Sequence, residues 1–193
     1  MLDRLKKYRI ILGSKSPRRR DLLSGIITDF EIMIKETDES FPSNLRKEEI
    51  PVFLSKQKAK AFQKEINEKN ILLITCDTIV WINDHALNKP ENKSEAVKML
   101  QELSGHKHDV FTGVTLTSKE KQISFFERTE VSFKPLSKDE IEYYIEKYKP
   151  YDKAGAYGVQ EWMGYVGMNR IEGCFFNVMG LPLSKLYTEL ENF

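Results

Sequence analysis

One run of residues restricts the fold of this chain more than any other: Ile71 to Ile82, uncharged throughout except for Asp77. Ile71–Thr75 and Ile79–Ile82 read as apolar strands on either side of a Cys76-Asp77-Thr78 junction. Asn83-Asp84-His85 reads as the turn of a hairpin that follows. The longest uncharged apolar stretch, Ile71–Cys76, is far short of the about 20 residues a membrane-spanning helix needs.

Around this run, strand and helix patterns alternate. Arg9–Leu12 reads as a short strand running through Gly13 and Ser14 into a helix, with Ser16 as N-cap and Pro17 at the first helical position. That helix is expected to end near Gly25 in a left-handed cap. Phe30–Lys35 reads as a second strand. Glu48–Glu68 reads as one long helix with Leu54, Ala61, Phe62 and Ile66 on a single stripe, and the lysine-rich stretch from Lys56 to Lys69 as its solvated face. Lys93–Leu103 is helical and stopped by Ser104-Gly105. Asp109–Thr117 and Gln122–Lys134 alternate as two antiparallel strands. Ser137-Lys138-Asp139-Glu140 is a capping box opening a helix to Lys147. Ile171–Met179 resembles another strand pair, and Pro182 starts a terminal helix with Leu183, Leu186, Tyr187 and Leu190 inward. Strands joined both by helices and by tight turns predict an α/β fold with a mixed sheet covered by helices.

No repeat and no Pro- or Gly/Ser-rich linker divides the 193 residues, which suit one domain or two small lobes sharing a cleft. A chain 40% hydrophobic and 11% aromatic fills a core and is not a disordered polymer. Thirty basic residues against 29 acidic ones leave a net charge of +1, without the basic field that non-specific binding to nucleic acid or membrane surfaces requires. Two cysteines are too few for a disulfide scaffold, and the charged segment from Met1 to Arg9 lacks a hydrophobic signal core, so a cytoplasmic protein is expected.

Several places could carry chemistry. In Gly13-Ser14-Lys15-Ser16-Pro17-Arg18-Arg19-Arg20 a strand enters a helix through small residues. Unpaired backbone N–H groups, two hydroxyls and guanidinium groups converge there where a phosphate would sit, or the segment is an ordinary capped helix with solvated arginines. Lys58 shares the apolar stripe of its helix and must either snorkel or find an anionic partner. Asp77, within the uncharged run, is placed for desolvation to make it a base, or it satisfies a turn at a strand end. Asp38 or Glu39 could help Asp77 hold a hard divalent cation through oxygen ligands. Lys89-Pro90 adds a cation beside a rigid turn, and Gln160 ends a run of small residues with an amide able to read a base edge. His106 and His108 have no ligands at zinc spacing and read as a surface loop, and both cysteines read as structural.

Taken in order, these segments resemble the Maf family, the septum-formation-inhibitor-like nucleoside triphosphate pyrophosphatases. The matching text is Leu12-Gly13-Ser14-Lys15-Ser16-Pro17-Arg18-Arg19, Asp38-Glu39, Lys58-Ala59, Asp77-Thr78, Lys89-Pro90, Leu103-Ser104-Gly105, Thr112-Gly113-Val114, the run from Lys153 to Gln160, and Gly180-Leu181-Pro182. The resemblance implies an elongated, twisted mixed sheet of the Maf and ITPase-like kind, forming a single domain over 1–193 with two lobes around a deep nucleotide cleft. It implies metal-dependent hydrolysis between the α and β phosphates, with Mg²⁺ or Mn²⁺, and a homodimer. By analogy Asp77 is the proton acceptor, Ser14, Ser16, Arg19, Lys58 and Lys89 hold phosphates, and Glu39 assists metal or water, with Asp77 and Glu39 as the metal ligands.

Three positions divide the family by substrate. Arg18, Thr78 and Gln160 match the branch similar to dTTP/UTP pyrophosphatases, whereas the branch acting on 7-methyl-GTP tends to carry Trp, Gln and Glu there. A non-hydrolysing nucleotide sensor linked to cell division is the alternative from outside the enzyme class. The chain departs from the family pattern at Gly13, where Ala is common, at Gln57, at Cys174-Phe175, and at Glu161, where a small residue is frequent.

Overall fold

An apolar strand needs neighbours on both edges, and the computed structural model gives Ile71–Ile82 that position. It describes residues 2–68 and 70–193; Met1 and Lys69, the outer ends of the charged N-terminal and lysine-rich segments, lie outside the described residues. The strands are β1 (Arg9–Leu12), β2 (Glu31–Ile32), β3 (Ile71–Ile82), β4 (His85–Leu87), β5 (Lys107–Thr117), β6 (Gln122–Phe133) and β7 (Met168–Glu172). The helices are α1 (Pro17–Ser24), α2 (Glu49–Lys60), α3 (Gln63–Ile66), α4 (Lys93–Leu103), α5 (Lys138–Tyr148), α6 (Trp162–Val166), α7 (Phe175–Val178) and α8 (Leu183–Glu191), with 3₁₀ turns at Asp3–Lys7 and Ala154–Ala156.

The strands lie in the order β2-β1-β3-β5-β6-β7, with β4 also paired to β3. β1 runs parallel to β2 and to β3, with Ile11 opposite Leu73 and Leu12 opposite Ile74. β3–β4 and β6–β7 are antiparallel, so the sheet is mixed as expected. β3 is buried along nearly its whole length and is one continuous strand rather than two segments about a junction. The Asp77 side chain leaves one face of the pleat without interrupting the backbone ladder. Asn83 and Asp84 both adopt left-handed angles, φ +47° and +60°, which matches the tight turn that a hairpin's twist favours.

The chain divides into two compact units. The first comprises Met1–Asp77, Thr112–Glu127 and Gly180–Phe193, and the second Thr78–Phe111 and Arg128–Met179. In the first, Ile11, Ile71 and Leu73 pack against Ala59 and Phe62. In the second, Val80, Leu100, Leu103, Val110, Phe133, Tyr144, Ile145 and Met163 belong to one larger core. α5 opens on the expected capping box: Glu140 N donates to Ser137 Oγ at 3.1 Å and Ser137 N to Glu140 Oε2 at 2.8 Å.

Several expectations are corrected. The helix over 48–68 breaks into α2 and α3 because Ala61 and Phe62 make tighter bonds to carbonyls three residues back, turning the Phe62 ring into the core. The strand over 30–35 shrinks to two residues, with Ile32 and Ile34 exposed. Gly25 closes α1 with right-handed angles, φ −71°, not a left-handed cap. The second half of Ile171–Met179 is α7: the Thr129 hydroxyl exchanges bonds with the Cys174 backbone, N at 3.1 Å and O at 3.0 Å, and ends the strand. His108 is a core residue on β5, its Nε2 2.8 Å from Tyr157 Oη and its ring edge-on to Phe133; of the pair, His106 is the exposed one.

In the first unit, Gly113 of β5 lies under the start of α2, and a Cβ there would stand 2.4 Å from the backbone of Pro51 and Val52. Gly113→Ala is therefore expected to lower stability by about 3 kcal/mol, read as a lower urea midpoint. Burial lowers the His108 pKa from 6.5 to about 3, so the folded chain keeps the ring neutral while the unfolded chain takes up a proton. That stability is fully present above pH 6.5 and falls by about 1.4 kcal/mol per unit as pH drops toward 3. Denaturation of His108→Gln from pH 7 to 4 is expected to show a shallower loss than the unsubstituted protein.

Candidate functional site

Residues from three elements of the first unit meet at one nitrogen. Lys58 lies in the last turn of α2, Asp77 in β3, and Glu39 on the loop after β2. The Lys58 ammonium donates to Asp77 Oδ1 and stands 3.1 Å from Glu39 Oε1. Asp77 is only 7% exposed, and the Lys58 side chain 14%. Of the two outcomes open to a lysine on the apolar stripe, the anionic partner prevails. Burial pulls the Lys58 pKa down and the Arg19 guanidinium does the same, but Asp77 with help from Glu39 outweighs both, and the net shift is upward. Between the neighbouring acids, Asp38 turns to Ser40, accepting from its N at 2.8 Å and its Oγ at 2.6 Å, while Glu39 reaches Lys58.

The pairing has a local cause. Thr75 Oγ1 donates to Ser55 O at 2.8 Å, and Ser55 Oγ lies 2.8 Å from Thr115 Oγ1, which continues to Ser124 Oγ at 2.9 Å. Thr75 and Asp77 share a face of β3, and Ser55 and Lys58 share a face of α2. The two contacts are successive rungs between the same helix and strand. These buried hydroxyls carry no chemistry-bearing pattern in the sequence; small polar residues two and three positions from the ion pair are the only signal.

The serine–arginine corner of the first unit is built as predicted at the helix start. Ser16 is the N-cap, its Oγ accepting from Arg19 N at 3.5 Å, and Ser14 Oγ accepts from Ser16 N at 3.2 Å. The Arg19 side chain does not stand free in solvent: Nε donates to Gly180 O at 2.8 Å and Nη1 to Cys76 O at 3.1 Å. Arg19 is thereby tied to the residue before Asp77. Arg18 is half-buried in the first turn of α1. Gly13 fits because a Cβ would lie 2.9 Å from Thr75 Cγ2 and 3.2 Å from the Phe62 ring, which accounts for the missing alanine.

The second unit holds Thr78, Lys89 and Gln160. Thr78 is half-buried on β3, Lys89 is exposed after β4, and Gln160 is half-buried on the loop that precedes α6. Lys153, to which no role was assigned from sequence, is 7% exposed and pairs with Asp152 Oδ1 at 2.7 Å and Glu161 Oε1 at 3.1 Å. Tyr144 Oη donates to Glu161 Oε2 and accepts from Gly158 N at 3.0 Å. Cys76 is fully buried, which raises its thiol pKa, in keeping with a structural role.

For a divalent cation, Asp77 and Glu39 already turn carboxylate oxygens toward one positive charge. Two carboxylates completed by phosphate oxygens and water form the all-oxygen donor set that Mg²⁺ takes, so the residues fit. Among the described residues no cluster of three or more His, Cys, Asp or Glu forms a site from protein groups alone, and no helix is long and apolar enough to cross a membrane.

Comparison with known proteins adds to this geometry. The family model described as Maf-like protein matches residues 9–193. A dTTP/UTP pyrophosphatase of Parabacteroides distasonis is 51% identical over 100% of both chains, and one of Bacteroides thetaiotaomicron is 52% identical over 99% of each. Among solved structures, a HAM1 protein from Coxiella burnetii shares the fold at TM-score 0.50 and 13% identity, over 96% of this chain and 100% of that one.

Removing the Lys58 ammonium takes the paired positive charge away from the nearly buried Asp77 carboxylate. Lys58→Met is expected to lower stability by about 3 kcal/mol, and adding Asp77→Leu to recover part of the loss, both read from urea midpoints. Because the Lys58 pKa is raised above 10.5, its contribution is fully present below that value and is lost only as pH rises through the higher one.

Proposed function

The chain belongs to the Maf-like protein family, and from that membership and the first-unit geometry we propose that it hydrolyses dTTP and UTP to the nucleoside monophosphate and pyrophosphate. The observation that carries this reading is the nearly buried Asp77 held against Lys58, with Arg19 anchored to the neighbouring Cys76 carbonyl. The substrate rests on relatives about half identical over the full chain that bear the name dTTP/UTP pyrophosphatase, and on Arg18, Thr78 and Gln160 as the residues that set base preference.

In the reaction, Asp77 takes a proton from the attacking water as its oxygen bonds to the α-phosphorus and the bond from that phosphorus to the α–β bridging oxygen breaks. Pyrophosphate leaves, and the general base contributes about 10²–10⁴-fold. Lys58, Arg19 and Lys89 bind phosphate oxygens and oppose the charge that grows on the leaving group, while the hydroxyls and backbone of Ser14 and Ser16 orient the chain of phosphates. Asp77 and Glu39 are the residues that would hold Mg²⁺ or Mn²⁺. When bound, such an ion supplies further neutralisation of phosphate charge. The reading includes the whole chain acting as one catalytic domain, in a cytoplasmic homodimer, on free nucleotides and not on nucleic acid or membranes.

A panel of nucleoside triphosphates with added Mg²⁺ or Mn²⁺ tests this, with products separated. Pyrophosphate and monophosphate are expected from dTTP and UTP at the highest kcat/KM. Orthophosphate as product, binding without turnover, or a preference for 7-methyl-GTP would each reject the reading. Asp77→Asn is expected to lower kcat for dTTP by at least about 100-fold with little change in nucleotide affinity; pyrophosphate release at the unsubstituted rate would remove Asp77 from the role of base.

A further inference from the structure

Glu161 replaces the small residue that commonly follows the glutamine in the family pattern, and its carboxylate is fully engaged. One oxygen faces the buried Lys153 ammonium at 3.1 Å; the other accepts from Tyr144 Oη. Tyr144 in turn accepts from Gly158 N at 3.0 Å, and Glu161 N donates to Gly158 O at 3.1 Å. The Gly158–Glu161 turn is thus tied to α5 through Tyr144 and to the start of its own loop through Lys153. Gln160, inside that turn, has its carbonyl held by Tyr165 Oη at 2.6 Å. Tyr144 is fully buried, and the Glu161 side chain is 19% exposed. Every group named lies in the second unit.

These bonds matter because a glutamine amide does not discriminate by itself. Its oxygen and NH₂ exchange places by rotation, so a mobile glutamine pairs equally with the edge of uracil or thymine, which offers an acceptor beside a donor, and with that of cytosine, which offers the reverse. Which end of the amide faces the base is set by the groups around the amide, and they act on it consistently only while the backbone that carries it keeps its place among them. We propose that Glu161, acting through Tyr144 and Lys153, is a positioning residue for base selection: it holds the Gly158–Gln160 backbone so that the Gln160 amide is presented to uracil and thymine and not to cytosine. The inference rests on the substrate reading above and assigns Glu161 no contact with the reacting atoms.

The test compares the full-length protein with Glu161→Gln, Tyr144→Phe and Glu161→Asp on dTTP, UTP and dCTP, alongside thermal unfolding. Glu161→Gln keeps an acceptor for Tyr144 but removes the charge facing Lys153; Tyr144→Phe keeps the ring and removes the bridge. Both are expected to lower the ratio of kcat/KM for dTTP over dCTP about tenfold. The change should arise mainly from KM for dTTP, with kcat altered less than about twofold. Glu161→Asp, which restores the charge, is expected to recover part of the ratio. A merely structural network would lower activity on all three nucleotides together and leave the ratio unchanged; that result in Tyr144→Phe, whose buried ring is retained, overturns the proposal even if Glu161→Gln does not fold. Should the unsubstituted protein prefer another nucleotide, the substrate reading fails on that measurement alone. A loss of its actual preference in the variants would then still uphold the network, and retention would overturn it.

Discussion

The ammonium of Lys58 against the Asp77 carboxylate is the contact around which the first unit is arranged. It is not there for stability. A buried ion pair sacrifices nearly as much hydration as its attraction returns, and apolar residues of similar volume often serve as well or better. A fully buried Leu or Ile contributes about 1.5–3 kcal/mol, and the Ile11, Ile71, Leu73 and Phe62 cluster supplies that many times over. The pair persists in a place where stability alone would favour hydrophobes, and the structure around it accommodates it: Gly113 lets α2 approach, the Ser55, Thr115 and Ser124 hydroxyls bond in a chain, and the Thr75 hydroxyl donates to the Ser55 carbonyl.

The same device recurs in the second unit. Lys153 is nearly buried between Asp152 and Glu161 as Lys58 is between Asp77 and Glu39. In each case a compact ammonium pins a loop acid and a more buried one, fixing chain segments that hydrophobic packing alone would leave free to slide. Around Lys58 the result is a cluster of charges from three chain segments; around Lys153 it is a turn, carrying Gln160, that side-chain bonds tie to α5 and to the start of its own loop.

Much of this was legible in the residues. Local signals worked where the physics is local: Ser16-Pro17 opened α1, the Ser137–Glu140 box opened α5, and Asn83-Asp84 turned the hairpin, because caps and left-handed turns depend on a few adjacent residues. Misreadings arose where distant groups intervened. The Phe62 ring entering the core ended a helix whose stripe continued, and Thr129 stopped β7 from a different strand. His108 looked like a loop residue because nothing near it in sequence reveals Tyr157 and Phe133.

By itself the sequence determined the chemical inventory: an acid isolated in an uncharged run, a lysine on an apolar stripe, a serine–arginine helix start and a glutamine after small residues. Those properties are set by composition and period along the chain. Only the tertiary structure decided how the charges are matched: that Lys58 meets Asp77 rather than solvent, that Glu39 and not Asp38 joins it, and that Arg19 is held by carbonyls at Cys76 and Gly180. Ion pairing and burial depend on distance in space, and residues 58 and 77, or 19 and 180, are brought together only when helix and strand pack.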